Sequence, residues 1–118
     1  MTRRNWAKTF FCAWTGVTYG FVTQRNMKVH AAVAVIVLVA AWKLEVSPVE
    51  WVILILTIAG VIATELLNTA VEAAVDLFSP EFHPLAKIAK DTSAGAVLVM
   101  AMASVVVGCL IFIRRLIG

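Results

Sequence analysis

The chain has 118 residues, of which 62% are hydrophobic and 14% are charged, and its formal net charge is +3. Its mean hydropathy of +0.94 excludes an ordinary soluble domain, because a soluble fold of this size needs more polar surface than these residues supply. The length predicts one small domain, residues 1–118. Cys12 and Cys109 lie near opposite ends of the chain and match neither a zinc site nor a redox motif.

The first predicted element is an amphipathic helix over residues 5–22. Aromatic and aliphatic side chains recur there at steps of three and four residues, at Trp6, Phe10, Trp14, Val17 and Phe21. A helix that is basic, aromatic and too short to span a bilayer usually lies in the plane of the membrane interface. We therefore expect an interfacial helix, and the segment lacks the apolar core of a cleavable signal peptide.

A polar segment from Gln24 to His30 separates this helix from the first predicted span. Asn26 and His30 are four residues apart, so they share one helix face. By itself the segment is equally consistent with a solvated helix junction and with part of a polar site. The span that follows, residues 29–44, is short, so we expect the helix to tilt or the bilayer to thin around it.

The second predicted span, residues 51–78, carries a polar stripe on one face. At about 100° per residue, Glu65, Glu72 and Asp76 fall within about 20° of a common line. Glu65 lies ~21 Å along the helix from Trp51, inside a ~30 Å hydrocarbon layer, where an ionisable group is costly and usually functional. A plain helix–helix contact is less favoured, because carboxylates repel each other and must be desolvated.

The third predicted span, residues 85–113, begins with charged residues and continues as an apolar segment. Lys87, Lys90 and Asp91 occupy its first turns, and residues 94–113 contain no charge, as expected of a membrane span. Together these elements predict an all-α integral membrane protein with an N-terminal interfacial amphipathic helix and three transmembrane helices.

The positions of Lys and Arg predict the orientation in the membrane. Seven basic residues (Arg3, Arg4, Lys8, Arg25, Lys28, Lys87 and Lys90) fall on one side, against Lys43, Arg114 and Arg115 on the other. Basic residues are enriched on the cytoplasmic side. We therefore expect a plasma membrane protein whose N-terminus and active site face the cytoplasm.

The polar groups fit phosphoryl transfer from a water-soluble donor to a lipid alcohol. That reaction needs a base near the hydroxyl, a divalent metal on the donor phosphates and a cation that neutralises charge. Glu65 could accept the hydroxyl proton, Glu72 could bind Mg²⁺, and Lys90 could bind phosphate. Three spans cannot enclose such a site alone, so an oligomer is expected.

Two motifs carry a resemblance to a known family. They are Glu65-x-x-Asn68-Thr69-Ala70-Val71-Glu72-x-x-Val75-Asp76 and Ala86-Lys87-x-Ala89-Lys90-Asp91-x-x-Ala94-Gly95-Ala96-Val97. At this spacing in a three-span chain, they resemble the prokaryotic diacylglycerol kinase family over nearly the whole sequence. With the segment from Gln24 to His30 upstream, the chain is most similar to the Gram-positive-type undecaprenol kinases of that family.

The resemblance implies an ATP-dependent lipid kinase that assembles as a homotrimer with sites shared between subunits. It implies Glu65 as the catalytic base, Glu65 and Asn68 as substrate ligands, and Glu72 as a metal ligand. The nucleotide ligands that it implies are Gln24, Glu72, Asp76, Glu81, Phe82, His83, Lys90 and Asp91. The implied cofactor is Mg²⁺, and the implied partners are ATP, a lipid alcohol, the bilayer and further copies of the chain, but no nucleic acid.

One position departs from the family pattern. The family usually has Glu where this chain has Gln24, as a second metal ligand. A Gln oxygen can still coordinate Mg²⁺ but contributes no negative charge. The resemblance therefore implies altered metal affinity or metal choice rather than complete loss of activity.

Several alternatives stay open at the level of sequence. The acceptor is undecaprenol, which the resemblance favours, or diacylglycerol, because apolar pockets discriminate weakly between long chains. A small proton-coupled exporter also uses few spans and a membrane carboxylate, but it favours an isolated carboxylate in mid-span and a fourth span. A small non-catalytic subunit would bind no nucleotide.

Overall fold

The computed structural model describes residues 5–118, so Arg3 and Arg4, which contribute to the predicted charge asymmetry, lie outside the described residues. The described residues form α1 (Trp6–Thr23), α2 (Arg25–Lys43), α3 (Pro48–Phe78) and α4 (Pro84–Ile117). Three of these helices, α2, α3 and α4, are long and apolar enough to cross a membrane. The prediction of an all-α chain with three candidate membrane spans is therefore confirmed.

Local hydrogen bonds fix where α3 and α4 begin. At α3, the Ser47 hydroxyl accepts from the Glu50 amide at 3.2 Å, and the Glu50 carboxylate accepts from the Ser47 amide at 2.9 Å. This capping box satisfies two backbone donors at once. At α4, His83 Nδ1 accepts from the Leu85 amide at 3.1 Å. A proline follows each cap, where its fixed φ suits the first helical position.

The turn between α2 and α3 is closed by a Schellman motif. The Val46 amide donates to the Ala41 carbonyl at 3.2 Å, and the Glu45 amide donates to the Trp42 carbonyl at 3.3 Å, which satisfies the last carbonyls of α2. The motif needs a left-handed residue, and Glu45 supplies it with φ 53°. Val46 and Ala41 are both buried in the same apolar cluster, as is usual for this motif.

The long antiparallel hairpin of α3 and α4 dominates the architecture. The helices contain 31 and 34 residues. At ~1.5 Å per residue they are ~46 Å and ~51 Å long, which exceeds a ~30 Å hydrocarbon layer, so both extend beyond it. Ion pairs join them near both ends, between Glu50 and Arg115 at 2.7 Å and between Asp76 and Lys90 at 2.5 Å.

The single chain buries few side chains. A small apolar cluster near the α2–α3 turn contains Ala41, Val46, Leu54 and Ile111. Most of the large apolar side chains on α2, α3 and α4 are exposed instead. A continuous apolar surface of this kind marks a membrane or protein contact, so lipid and other copies of the chain are expected to cover it.

α1 packs against α2 and α3 through its C-terminal half. Gly20 is buried there, and a Cβ on it would meet Leu66 Cδ2 at 2.6 Å, so the glycine permits the close approach. Gly16 has open space around it. Trp6 and Trp14 are 79% and 70% exposed, and a membrane interface remains the surface that we predict for them.

Candidate active site

The polar stripe of α3 runs from the buried part of the chain to the exposed end of the hairpin. Glu65 is only 3% exposed, Glu72 is half-buried, and the Asp76 side chain is 63% exposed. At ~1.5 Å per residue, Glu65 and Asp76 are ~16 Å apart along the helix. The stripe therefore presents carboxylates at three different depths.

The buried carboxylate of Glu65 lies beside a histidine from α2. His30 Nε2 is 4.0 Å from Glu65 Oε1, and the two side chains are 23% and 4% exposed. The sequence placed His30 on one helix face with Asn26 but assigned it no role. The sequence feature that could have identified His30 is its place at the start of an apolar span, one turn after the polar Asn26.

One turn further along α3, Asn68 contacts Glu72. Asn68 Nδ2 donates to Glu72 Oε1 at 3.4 Å, and the buried Asn68 Oδ1 has no hydrogen-bond partner among the described residues. The reversed amide would place its oxygen against the carboxylate, so the hydrogen bond defines the orientation. Asn68 therefore holds Glu72 with one end and offers a free acceptor with the other.

Two ion pairs lie at the exposed end of the hairpin. Lys90 Nζ bonds Asp76 across the two helices, and Lys87 Nζ bonds Asp91 within α4, each at 2.5 Å. Exposed pairs of this kind contribute little to stability. Both ammonium groups are therefore free to exchange a carboxylate partner for a phosphate.

The α3–α4 loop lies at this same end and contains three predicted nucleotide ligands. The Glu81 carbonyl accepts from the Ser79 hydroxyl at 2.9 Å, and His83 caps α4. Phe82 is 81% exposed. The loop is therefore ordered by its own hydrogen bonds and leaves an aromatic side chain on the surface.

Gln24 lies at the joint between α1 and α2. Its side-chain Nε2 donates to Thr23 Oγ1 at 3.3 Å, and within residues 5–118 no hydrogen bond joins it to Glu72. Among the described residues, hydrogen bonds therefore link Glu72 to Asn68 and Gln24 to Thr23.

The site offers oxygen donors for Mg²⁺ without a complete metal site. In the part of the chain that the structure describes, no three His, Cys, Asp or Glu side chains are grouped to hold a metal ion. Mg²⁺ commonly takes one or two carboxylates and completes its shell with water and substrate phosphates. Glu72 and the neighbouring unpaired Asn68 Oδ1 are hard oxygen donors, so their chemistry fits Mg²⁺ held largely by phosphate.

An apolar groove runs between α2, α3 and α4. It is open on one side and is lined mainly by aliphatic side chains, with His30, Thr57 and Ser104 as polar residues. His30 also borders Glu65, so the groove begins next to the buried carboxylate. An apolar chain in this groove would have its polar end beside Glu65.

A family model described as prokaryotic diacylglycerol kinase matches residues 11–112. The undecaprenol kinase of Bacillus subtilis (strain 168) is 47% identical over 109 residues, which cover 92% of this chain and 89% of that protein. A diacylglycerol kinase of Synechocystis sp. is 49% identical over 105 residues, covering 87% of this chain and 60% of that protein. The diacylglycerol kinase of Escherichia coli (strain K12) is 32% identical over 100 residues, covering 84% and 81%.

These matches extend over parts of all four helices. Because the relatives are kinases, they favour neither a proton-coupled exporter nor a non-catalytic subunit. Three apolar helices of spanning length agree with a multi-pass membrane protein. The chain therefore belongs to the prokaryotic diacylglycerol kinase family and is a membrane-embedded lipid kinase.

Proposed function

We propose that this kinase transfers the γ-phosphoryl group of ATP to the hydroxyl of undecaprenol, forming undecaprenyl phosphate. The observation that carries the proposal is the stripe on α3, which joins the buried Glu65 to the exposed Asp76–Lys90 pair. A site built on this stripe can receive a lipid hydroxyl at its deep end and a nucleotide at its wet end. Similarity to an undecaprenol kinase supports the choice of acceptor.

The buried end of the stripe, at Glu65, is proposed to bind the lipid alcohol. Glu65 accepts the hydroxyl proton as the oxygen attacks the γ-phosphorus. Asn68, one turn away on the same helix, is the second proposed substrate ligand and positions the lipid beside Glu65. The apolar groove beside His30 takes the part of the chain next to the hydroxyl.

The exposed end of the stripe, around Asp76, is proposed to bind the nucleotide. The proposed ligands are Gln24, Glu72, Asp76, Glu81, Phe82, His83, Lys90 and Asp91. Glu72 and Gln24 would hold Mg²⁺, which neutralises phosphate charge when bound. Because Lys90 pairs with Asp76 in the structure, the ATP phosphates compete with that carboxylate for the ammonium group.

We further propose a homotrimer in the plasma membrane, with the N-terminus and the active site on the cytoplasmic side, where ATP is found. In this assembly residues 1–118 form one domain, and α1 lies in the plane of the membrane interface. The exposed apolar faces of the spans supply surface for contacts between subunits. Gln24 and Glu72 are proposed to take part in a site shared between subunits, as the family resemblance implies.

Diacylglycerol is the second candidate acceptor. Two of the relatives are diacylglycerol kinases, from Synechocystis sp. and Escherichia coli. An aliphatic groove accommodates an acyl chain as readily as an isoprenoid chain, because apolar contacts discriminate weakly between them. The choice between the two therefore needs a direct assay.

The assay uses purified protein in bilayers with γ-labelled ATP and either undecaprenol or diacylglycerol. We expect label in undecaprenyl phosphate, with kcat/KM at least about tenfold higher than for diacylglycerol. Glu72→Gln should lose this activity, whereas the matched control Glu45→Gln, in the turn at the far end of α3, should keep it. Preference for diacylglycerol would establish the alternative, and label in neither lipid would contradict the proposal.

A further inference from the structure

The carboxylate of Glu65 has one basic neighbour among the described residues. His30 Nε2 is 4.0 Å from Glu65 Oε1, and no other Lys, Arg or His in residues 5–118 lies that close to this carboxylate. A gap of 4.0 Å is too long for a direct hydrogen bond but is short enough for one bridging water or a small side-chain rotation. The pair links α2 to the proposed catalytic helix.

A buried base has to lose the proton that it gains. Glu65 is 4% exposed at its side chain, so it can hardly pass a proton directly to water. The His30 side chain is 23% exposed. Histidine is also the side chain suited to shuttle protons near neutral pH. His30 therefore offers a less buried group to which the carboxylate can pass its proton.

We propose that His30 is a positioning residue that orients the Glu65 carboxylate and relays its proton to water, an inference that rests on the proposed role of Glu65 as base. In the first step the lipid O–H bond breaks, the O–P bond forms, and Glu65 gains the proton. In the second step the Glu65 O–H bond breaks and an N–H bond forms on neutral His30. The imidazolium then releases this proton to solvent, which restores both groups.

The charged and polar groups near His30 come from several helices. On α3 its charged neighbour is Glu65, and on α4 the polar residue that lines the groove with it is the neutral Ser104. On α1 the described basic residue, Lys8, lies near the opposite end of that helix, and on α2 itself Lys28 is exposed. The charged group within 4.0 Å of His30 among the described residues is thus Glu65.

The test measures kcat and both KM values of the wild type, His30→Gln and Glu65→Gln across about pH 5 to 8, the range in which histidine side chains titrate. For His30→Gln we expect kcat to fall about tenfold or more near neutral pH, below the ~10²–10⁴-fold typical of a direct acid–base group. The KM for ATP should stay unchanged. The dependence of kcat on pH should differ between the wild type and His30→Gln.

The controls separate this inference from the proposed function. Val29→Ala, at an exposed neighbour on α2, should behave like the wild type at every pH. If Glu65→Gln protein is active, Glu65 is not the base, and the proposed proton relay from Glu65 to His30 is excluded as well. If Glu65→Gln is inactive while His30→Gln keeps wild-type kcat and pH profile, His30 has no role in proton transfer.

A second variant covers the case in which His30→Gln does not assemble. His30→Ala leaves space beside Glu65 for free imidazole. We expect added imidazole to restore part of the lost kcat in His30→Ala and to leave the wild type and Val29→Ala unchanged. Rescue supports the relay, and a folded His30→Ala enzyme that imidazole cannot rescue contradicts it.

Discussion

The chemistry of each charged residue in the stripe depends on its depth. Glu65 has almost no contact with solvent, so its carboxylate responds to what α2 and a bound lipid bring to it. Asp76 and Lys90 are in contact with water, where salt screens a single ion pair and its contribution to stability is small. The deep residue is suited to proton transfer, and the outer residues are suited to exchanging carboxylate for phosphate.

Lys90→Ala should weaken nucleotide binding specifically. A hydrogen bond to a charged group contributes about 1.5–3 kcal/mol, so we expect the KM for ATP to rise by about tenfold or more. The KM for the lipid should hardly change, because Lys90 precedes the uncharged part of its helix. Lys87→Ala, one turn earlier, is the matched control and should have a smaller effect. A changed lipid dependence with an unchanged ATP dependence would show that Lys90 is assigned to the wrong substrate.

Gln24→Glu should lower the Mg²⁺ concentration needed for half-maximal activity. The added carboxylate restores the charge that the family pattern has at this position, and the gain should be modest because water screens charge there. Glu72→Gln in the same background should be far worse. Asn26→Asp adds a charge two residues away and should leave the Mg²⁺ requirement unchanged. An unaltered titration for Gln24→Glu would place Gln24 outside the metal site, as part of a helix junction.

At the scale of the helices, ion pairs join α3 and α4 near both ends of their hairpin. The Glu50–Arg115 pair joins the start of α3 to the end of α4, and the Asp76–Lys90 pair joins the other ends. The Schellman turn fixes how α2 enters this hairpin. The turn thus helps to position α2, which brings His30 to Glu65.

The turn before α3 carries a residue that is unfavourable for its conformation. Glu45 has φ 53°, where a Cβ costs about 1 kcal/mol or more. Glu45→Gly should therefore raise the free energy of unfolding by about 1 kcal/mol, measured by denaturation in detergent. Glu45→Ala removes the carboxylate but keeps the Cβ, so it should bring no such gain. Equal stability of the two variants would mean that the turn holds no strain.

Sequence patterns predicted the helices better than their ends. Pro48 and Pro84 are the first residues of α3 and α4, and α2 begins at Arg25 and α4 continues to Ile117, beyond the apolar segments. Hydropathy predicts where a helix leaves the lipid. The helix itself ends later, because its backbone hydrogen bonds continue beyond that point into water. The Schellman turn gave no signal, because its usual glycine is Glu45 in this chain.

Contacts between helices were the part of the site that sequence could not supply. The stripe on α3 follows from helical periodicity alone, since all its residues lie on one element. The approach of His30 to Glu65 depends on how α2 packs against α3, which no spacing along the chain encodes. The contact of Lys90 with Asp76 likewise depends on how α4 packs against α3.

At the scale of the whole molecule, the single chain leaves much of its apolar surface uncovered. Its spans expose large apolar side chains on several faces, and its polar site is open at the wet end. A membrane and further copies of the chain would cover these faces, and ATP and lipid would then meet along α3. The proposed activity depends on Glu65 being the group that activates the lipid hydroxyl.

The most direct test is transfer of labelled γ-phosphoryl from ATP to undecaprenol by Glu65→Gln protein in bilayers, with ATP binding measured on the same preparation. The variant keeps the shape of the side chain but cannot accept the proton. We predict that transfer falls by about 10²–10⁴-fold while ATP binding and assembly stay as in the wild type. Transfer at a rate near that of the wild type would contradict the central claim.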